Sequence, residues 1–541
     1  MANQITDNRT LVDGANATTN WVVAVGGGGA SVALDTDVKI EGSGSIAEQI
    51  SSSRRGCLYN AGATQNWANQ VFYVWINCGI VGLLDTKANG GLTIRFTGPS
   101  TSDFFEFYVG GNDSWPTSVE GGWTQFVVDI EGTPSNTGGT APATSAIQHV
   151  GFTAVTATVM TKTVDNTWID EIRRLPDGSP GIIVEGRNGG TTDWDFADIF
   201  TQLGSSAGTF KPGPGGSWTI NTPLQVGIND TTTHGFSDTD QLILWEDQEW
   251  APSDLYKISA LGNSGGTTNF KLGTKSGTGN DAVGAQGGVI TAAAAGVRWD
   301  MDFNDANLDA IGLYGVQFGH GGAFLLDDAA VEAISCQYRD VSSALVSNSL
   351  QLKNAILDAN TADGVAFMTT DDLGDIRFCD FAFSDGHAIE LTTPRVASQT
   401  STGNRFSGYA LQAGTANDRS IYNNTAGAVA ISVVSGGSVT EHSYRDGTSA
   451  STTVTANISV SFTNFAVGTE IRVYINSTGA EEDGIETTVA DPWVATLQSG
   501  VAYDIVAIQK GYEPIRFNNR SFSADATVNL NQQPDPNFRN L

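Results

Sequence analysis

Carboxylates are the residues of this chain most able to do chemistry. Asp327, Asp328, Asp340, Asp358, Asp363, Asp371, Asp372, Asp375, Asp380, Asp385 and Glu390 all fall within one short stretch. Glycoside hydrolysis uses two carboxylates about 5–10 Å apart, and neighbouring β-strands lie about 4.8 Å apart. Stacked strands would bring such pairs into range. Most of these acids sit in polar turns, where Asp is selected to hydrogen-bond its own backbone, and that role outweighs catalysis for any one of them. The cations Arg339, Lys353, Arg377, His387, Arg395 and Arg405 could neutralise a uronate and take its proton, but they form no tight cluster in sequence. A phosphate-binding glycine loop and a His-Glu-x-x-His pair are both absent. No residue is assigned a catalytic role.

Aromatic platforms are better supported. Trp67 in TQNWAN and Trp115 in NDSWPT stand in loop-like settings, where an exposed indole would stack on a sugar ring; packing against a core is the competing role. Trp75 and Trp123 lie inside apolar strands and belong to the core. For metal, RWDMDFNDAN places Asp300, Asp302 and Asp305 at spacings that could hold Ca²⁺ through hard oxygen ligands. The EF-hand glycine and distal Glu are missing, so solvated turn carboxylates are the favoured alternative. FGHGG at Phe318 to Gly322 is similar to the Gly-His-Gly of β-helical polygalacturonases, yet the companion motifs are out of order, and His320 reads as a turn residue.

These residues sit on a repeat. Segments beginning at Val316, Cys336, Ala355, Phe381, Asn404 and Ser420 each give an apolar anchor, a polar turn, then alternating apolar residues. The anchors Phe318, Tyr338, Leu357, Phe383 and Phe406 recur every 19–26 residues or so. One such unit cannot bury its apolar face alone, so the core must come from stacking. Leucine-rich repeats share the period but need regular leucines and an Asn ladder, which are missing. The tolerance among Phe, Tyr and Leu suits a right-handed parallel β-helix; a β-sandwich with evenly spaced strands is the alternative.

Composition sets wider bounds. With 541 residues, 64 Gly and 40% hydrophobic residues, the chain should fold as several β-rich domains. A net charge of −31 repels phosphate backbones, which excludes nucleic acid as an expected partner. Cys57, Cys78, Cys336 and Cys379 have no zinc-ligand spacing. Cys336 and Cys379 read as core thiols, and whether Cys57 pairs with Cys78 is left open. No run is long and apolar enough for membrane insertion. MANQITDNRTLVDGAN lacks basic and apolar signal regions, so the expectation is synthesis in a cytoplasm, with something larger carrying the chain if it works outside cells.

The chain reads as all-β in three parts with a linker. Residues 1–175 contain KIEGSGSIAEQIS, GGWTQFVVDIEG and NTWIDEIRR, and resemble a carbohydrate-binding jelly roll. That resemblance implies a structural Ca²⁺ near the final Asp-bearing strand, nominating Asp170 with Glu41; no cofactor is otherwise required. Residues 176–208 read as a linker with a short helix near Asp195 to Gln202, 209–438 as the β-helix, and 439–541 as a small Ig-like or transthyretin-like sandwich with an extended tail.

That order of parts resembles tailed-bacteriophage virion proteins of the tailspike, fibre or decoration kind. The resemblance implies a homotrimer, other virion proteins as neighbours, and host-surface polysaccharide as a contact. A β-helical polysaccharide depolymerase with a sugar-binding module is the alternative, and a purely sugar-binding adhesin a third.

Overall fold

The computed structural model describes residues 4–25, 32–50, 54–116, 122–158, 165–203, 210–212, 217–228, 233–236, 240–244, 249–251, 256–262, 269–275, 285–292, 297–303, 310–326, 330–346, 351–353, 356–359, 368–382, 386–392, 398–411, 413–434 and 441–536. The chain forms two compact units, Met1–Gln351 with Asp358–Asn360, and Leu352–Leu357 with Thr361–Leu541. Among the described residues there is one α-helix, Phe196–Leu203, and the rest of the regular structure is almost entirely strand.

The first unit opens with two antiparallel sheets. One has the order Trp123–Asp129, Gln70–Cys78, Thr167–Pro176, Ser45–Glu48, Ala33–Asp35, with Thr10–Asp13 also pairing to Thr167–Pro176. The other has the order Asn136–Gly138, Phe104–Gly110, Leu92–Thr97, Ile147–Ala154, Arg55–Gln65, Trp21–Val25. Strand alternation sends Phe72, Val74 and Ile76 from the first and Ile94, Phe96 and Phe107 from the second into one shared core. The run QVFYVWINC is apolar throughout because its second face is covered too. Trp75 and Trp123 are buried there with Val38, Ile40 and Trp168, and the Tyr73 hydroxyl meets Thr222 Oγ1 at 3.1 Å.

Three parallel ladders follow within this unit. The first runs Ile182–Glu185, Leu224–Val226, Lys257–Ala260, Trp299–Asp302, Gly321–Leu326, Ser343–Val346. The second runs Trp218–Ile220, Gln241–Leu244, Val289–Ala292, Gln317–Gly319, Gln337–Val341, and the third Thr233–Phe236, Asn269–Leu272, Ala310–Tyr314, Ala330–Ile334. From Thr233 onward the chain visits the third, second and first ladders in turn, so the strands stack in parallel; among the described residues no sheet closes on itself, and the expected β-helix is not established by this order alone. The ladder begins at Ile182, inside the stretch read from sequence as a linker, and Gln4–Asp7 covers that first rung as an antiparallel strand. The short helix of the linker is present as Phe196–Leu203.

The second unit repeats the device. Ile376–Arg377, Ser398–Thr402, Ala428–Val434 and Ser451–Thr463 form one parallel ladder, Asp380–Ala382 pairs with Arg405–Ser407, and Met368–Thr370, Ile389–Leu391, Ile421–Asn423 and Tyr444–Asp446 form another. Ser451–Thr463 then changes partner. Its first half continues the parallel ladder to Ala456, past the boundary read at residue 438, and its second half pairs with Trp493–Gln498 and Ala526–Asn529. Opposite lies a sheet of Glu481–Ile485, Glu470–Ile475, Ala502–Ile508 and Ile515–Ser521, with Val460, Phe462, Val473, Leu497 and Ile505 between them. This is the expected small sandwich.

Inward columns hold the coils. Phe318 is fully buried, with ring centroids 5.1 Å from Tyr338 and 5.4 Å from Phe324. In the second unit Phe381 stacks on Phe406 at 5.0 Å, so the column runs through Phe381; the anchor read at Phe383 lies outside the described residues. Asn404 is buried beside this column, accepting from the Cys379 amide at 3.1 Å and donating to Ile376 O at 2.8 Å. All four cysteines are buried free thiols. No described helix is long and apolar enough to cross a membrane.

Two outcomes test this account. Phe318→Ala should lower the stability of its unit by about 3–5 kcal/mol in urea denaturation, as for other buried Phe truncations; a loss under about 1 kcal/mol would contradict the stacked column. Asn404→Ala should cost about 2–4 kcal/mol by orphaning a buried amide and a buried carbonyl.

Candidate functional site

The outer sides of both sheets are largely buried, and on the second a buried polar cluster is bordered by the partly exposed Arg54, Phe104, Tyr108 and Asn136, which are the residues a ligand would meet. Alternation along Leu92–Thr97 turns Thr93, Arg95 and Thr97 outward, and along Phe104–Gly110 it turns out Phe104, Glu106 and Tyr108. Arg95 and Glu106 are direct cross-strand partners. Glu106 is fully buried, and five donors converge on it, the Thr93 hydroxyl among them at 3.4 Å from Oε2. Arg95 Nε and Nη2 reach Oε2 at 2.9 and 2.7 Å, Arg54 Nη1 reaches Oε1 at 2.7 Å, and Asn136 Nδ2 reaches Oε1 at 2.8 Å. Fork geometry of this kind fixes a guanidinium in orientation as well as in energy.

The site carries one carboxylate and two guanidiniums, a local positive charge on an acidic protein. Arg54 also donates to Thr153 Oγ1 at 3.2 Å through the same Nη1. Its side chain is 23% exposed, and its remaining donors have no partner among the described residues. Gly90, at φ +102°, leaves the space for them: a Cβ there would lie 2.2 Å from Arg54 Nη2. Arg95 packs over Phe104, 3.7 Å from the ring centroid. Burial draws the Arg95 pKa below its ordinary value, against the opposing pull of Glu106. Half-buried Phe104, Tyr108 and Asn136 complete the rim. Next along the sheet, His149 Nδ1 lies 2.8 Å from Thr97 Oγ1 and 2.9 Å from Gly98 O, and burial lowers its pKa.

The residues singled out from sequence lie elsewhere. Trp67 is 3% exposed and edge-on to Phe72 at 5.1 Å, so it presents no ring to solvent; the polar composition of its loop says nothing about where the indole packs. Trp115 is half-buried, edge-on to Phe126 at 5.5 Å, above Gly110. Asp170 is fully buried, and its carboxylate accepts from the amides of Ile40 (2.9 Å), Glu41 (3.1 Å) and Glu171 (2.8 Å), tying the closing strand to the segment before Ser45. Asp300 accepts from the Ala323 amide at 2.7 Å and Asp302 shares its outward face two residues on, while Asp305 lies outside the described residues. Among the described residues no group of three or more His, Cys, Asp or Glu could hold a metal ion, so neither calcium expectation finds a complete donor set there. Asp327, Asp328, Asp363 and Asp385 also fall outside the described residues, as does the side chain of Asp358. Asp372 shows the turn role, accepting from the Gly374 amide at 2.8 Å.

No protein-family model matches the sequence, and no curated protein matches it. Among solved structures, a family 11 carbohydrate-binding module from Clostridium thermocellum, in complex with a β-1,3-1,4-mixed-linked tetrasaccharide, is 11% identical over 31% of this chain and 96% of its own, with a TM-score of 0.20. An exo-β-agarase is 15% identical over 31% of this chain, with a TM-score of 0.22, and the alignment spans only 25% of the agarase. The catalytic domain of a GH87 α-1,3-glucanase covers 82% of this chain at 9% identity and a TM-score of 0.13. Scores this low carry no assignment, and the architecture rests on strand order.

Two buried carboxyls give the first unit a pH signature. Burial pushes Glu48 and Asp170 each up to about 7, and Glu48 Oε2 has no hydrogen-bond partner among the described residues. A folded-state pKa above the unfolded value means that the folded protein holds the proton more tightly. Their contribution to stability is therefore full below about pH 4 and is lost as pH rises toward about 7. Glu48→Gln should match the wild type in thermal unfolding at pH 4.5 and exceed it increasingly up to pH 7.5. A pH-independent difference would rule out the buried proton.

Proposed function

We propose that the protein is a glycan-contacting structural protein of a tailed-bacteriophage virion, of the spike, fibre or decoration kind, and that Arg54, held by the buried Arg95–Glu106 pair and flanked by Phe104 and Tyr108, is where it meets host-surface polysaccharide. The observation that carries the glycan contact is the pinned arginine pair. Glu106 holds both guanidiniums before any ligand arrives, so binding need not order them, and Arg54 keeps donors free for paired sugar hydroxyls or a sugar carboxylate. The aromatic rim of Phe104 and Tyr108 adds apolar surface beside these donors. The virion setting is supported by the order of parts: a sandwich, stacked coils, and a terminal sandwich fused to the last coil through one shared strand. In this setting the chain acts as a homotrimer among other virion proteins.

Affinity electrophoresis against a panel of bacterial surface polysaccharides tests the contact. Arg54→Ala should weaken retention about tenfold or more, the loss expected for a charge-assisted hydrogen bond, while Trp67→Phe should leave it unchanged. Equal retention of wild type and Arg54→Ala would exclude this face. Light scattering after size exclusion tests the assembly, with a mass near three chains expected.

A further inference from the structure

We propose a second site in the first unit, where His320, oriented by Asp340 and flanked by Arg339, is a general base that cleaves uronate-containing polysaccharide by β-elimination. His320 and Asp340 occupy the same corner on successive coils, between the second and first ladders, and the His320 amide donates to Arg339 O at 3.1 Å. His320 Nδ1 faces Asp340 Oδ2 at 2.7 Å. Arg298 Nη2 donates to Asp340 Oδ1 at 2.9 Å, and Arg298 Nη1 donates to Gly321 O at 3.1 Å and also contacts Asp340 O. The carboxylate is thus held from both sides. A base oriented by a third group is the arrangement that proton transfer needs.

The other ring nitrogen is free to act. His320 Nε2 has no partner among the described residues, and the side chain is 34% exposed. Arg339 projects outward from the next rung, beside Asp340, exposed, with Nη2 on Gln337 Oε1 at 2.9 Å. The position below it on the ladder is Gly319, which has no side chain to compete for the ligand. A sugar carboxylate seated on Arg339 would acidify its own α-hydrogen and place it toward the corner. Asp300, which accepts from the Ala323 amide, is a further charged group at this corner.

The step balances without any other reactant. His320 Nε2 takes the proton from C5 of the uronate, and the C–H electron pair forms the C4=C5 bond. The C4–O bond breaks with its electrons passing to the glycosidic oxygen, and the imidazolium returns the proton to that oxygen. His320 is the catalytic residue, and Asp340 and Arg298 are positioning residues. The chain's charge of −31 opposes approach of a polyanion at low ionic strength, and salt screens charges beyond about 10 Å at 0.1 M. The KM should therefore fall as salt is raised.

The test incubates the full chain with polygalacturonate, alginate, hyaluronan and acidic capsular polysaccharides, and follows the ultraviolet absorbance of the new C4=C5 bond. The wild type should produce unsaturated ends. His320→Asn, which keeps a donor toward Asp340 but has no base, should reduce kcat about 100-fold or more with thermal stability close to wild type. Asp340→Asn should lower kcat with KM and thermal stability close to wild type, since the ring loses the group that orients it; a purely structural role would lower stability instead and leave kcat of the folded protein in place. Absence of unsaturated ends with every polyuronate, or undiminished rates in His320→Asn, would overturn the inference. This site is independent of the Arg54 face. Cleavage that survives Arg54→Ala, with retention lost, separates failure of one reading from failure of the other.

Discussion

The structure depends on inward columns of apolar side chains that no single coil can bury. Each rung supplies two or three inward residues, such as Ile258 and Ala260 or Phe324 and Leu326, and each needs the rung above and below to leave water. A stack of this kind has a vulnerable first rung, where backbone and apolar groups face outward with no neighbour. Here that rung is Ile182–Glu185, and the chain covers it with its own beginning, Gln4–Asp7. The helix Phe196–Leu203 adds Phe196, Ile199 and Leu203 as a buried face, and Phe210–Pro212 pairs antiparallel on Trp218–Ile220 to cover the start of the second ladder. The sandwich is fastened to the same region through Tyr73 and Thr222.

Charge is handled by a second recurring device, in which one carboxylate holds two or more polar partners. Glu106 holds Arg54 and Arg95, Asp193 holds Arg187 at 2.8 Å and Lys271 at 2.7 Å, Glu332 holds Lys275 and the Tyr314 hydroxyl, and Asp340 holds Arg298 and His320. Taking ions out of water costs several kcal/mol each, so these groups do not serve chiefly to raise stability. What they fix is direction. With few cations on an acidic chain, pinning these six Lys and Arg side chains decides where the protein is locally positive.

The repeat and its alternation made the stacked parallel strands legible from sequence, because a two-residue period inside a roughly twenty-residue one has few other physical explanations. The column anchor shows the limit: Phe381 and Phe383 are two residues apart on the same alternation, so the pattern alone cannot say which stacks on Phe406. Trp67 illustrates another limit, since a polar loop can still turn its indole inward to Phe72. The Arg54–Glu106 pair was invisible for a different reason. The two residues are separated by several strands, and only the sheet order and the register Arg95↔Glu106 bring them together. The one hint was an isolated Arg and Glu among alternating Thr and Phe, charged residues on strands whose every other position is apolar.

The corners of the coils explain why chemistry and architecture meet at the same residues. Turning from one ladder to the next requires a left-handed backbone, at Gly315 and Ser335 on one corner and at His320 and Asp340 on another. For residues other than Gly this conformation costs of order 1–3 kcal/mol, and Asn, Asp and His are the types that tolerate it best. Backbone geometry thus selects His and Asp at a position whose side chains project beyond the ladder. Stacking then sets the two on adjacent rungs, within hydrogen-bonding distance, and the bond between them offsets part of the strain. A stack that needs tolerant polar residues at its corners therefore produces oriented acid–base pairs as a consequence of its period, and a partly exposed imidazole whose Nε2 has no partner among the described residues is what distinguishes this corner from one that only turns the chain.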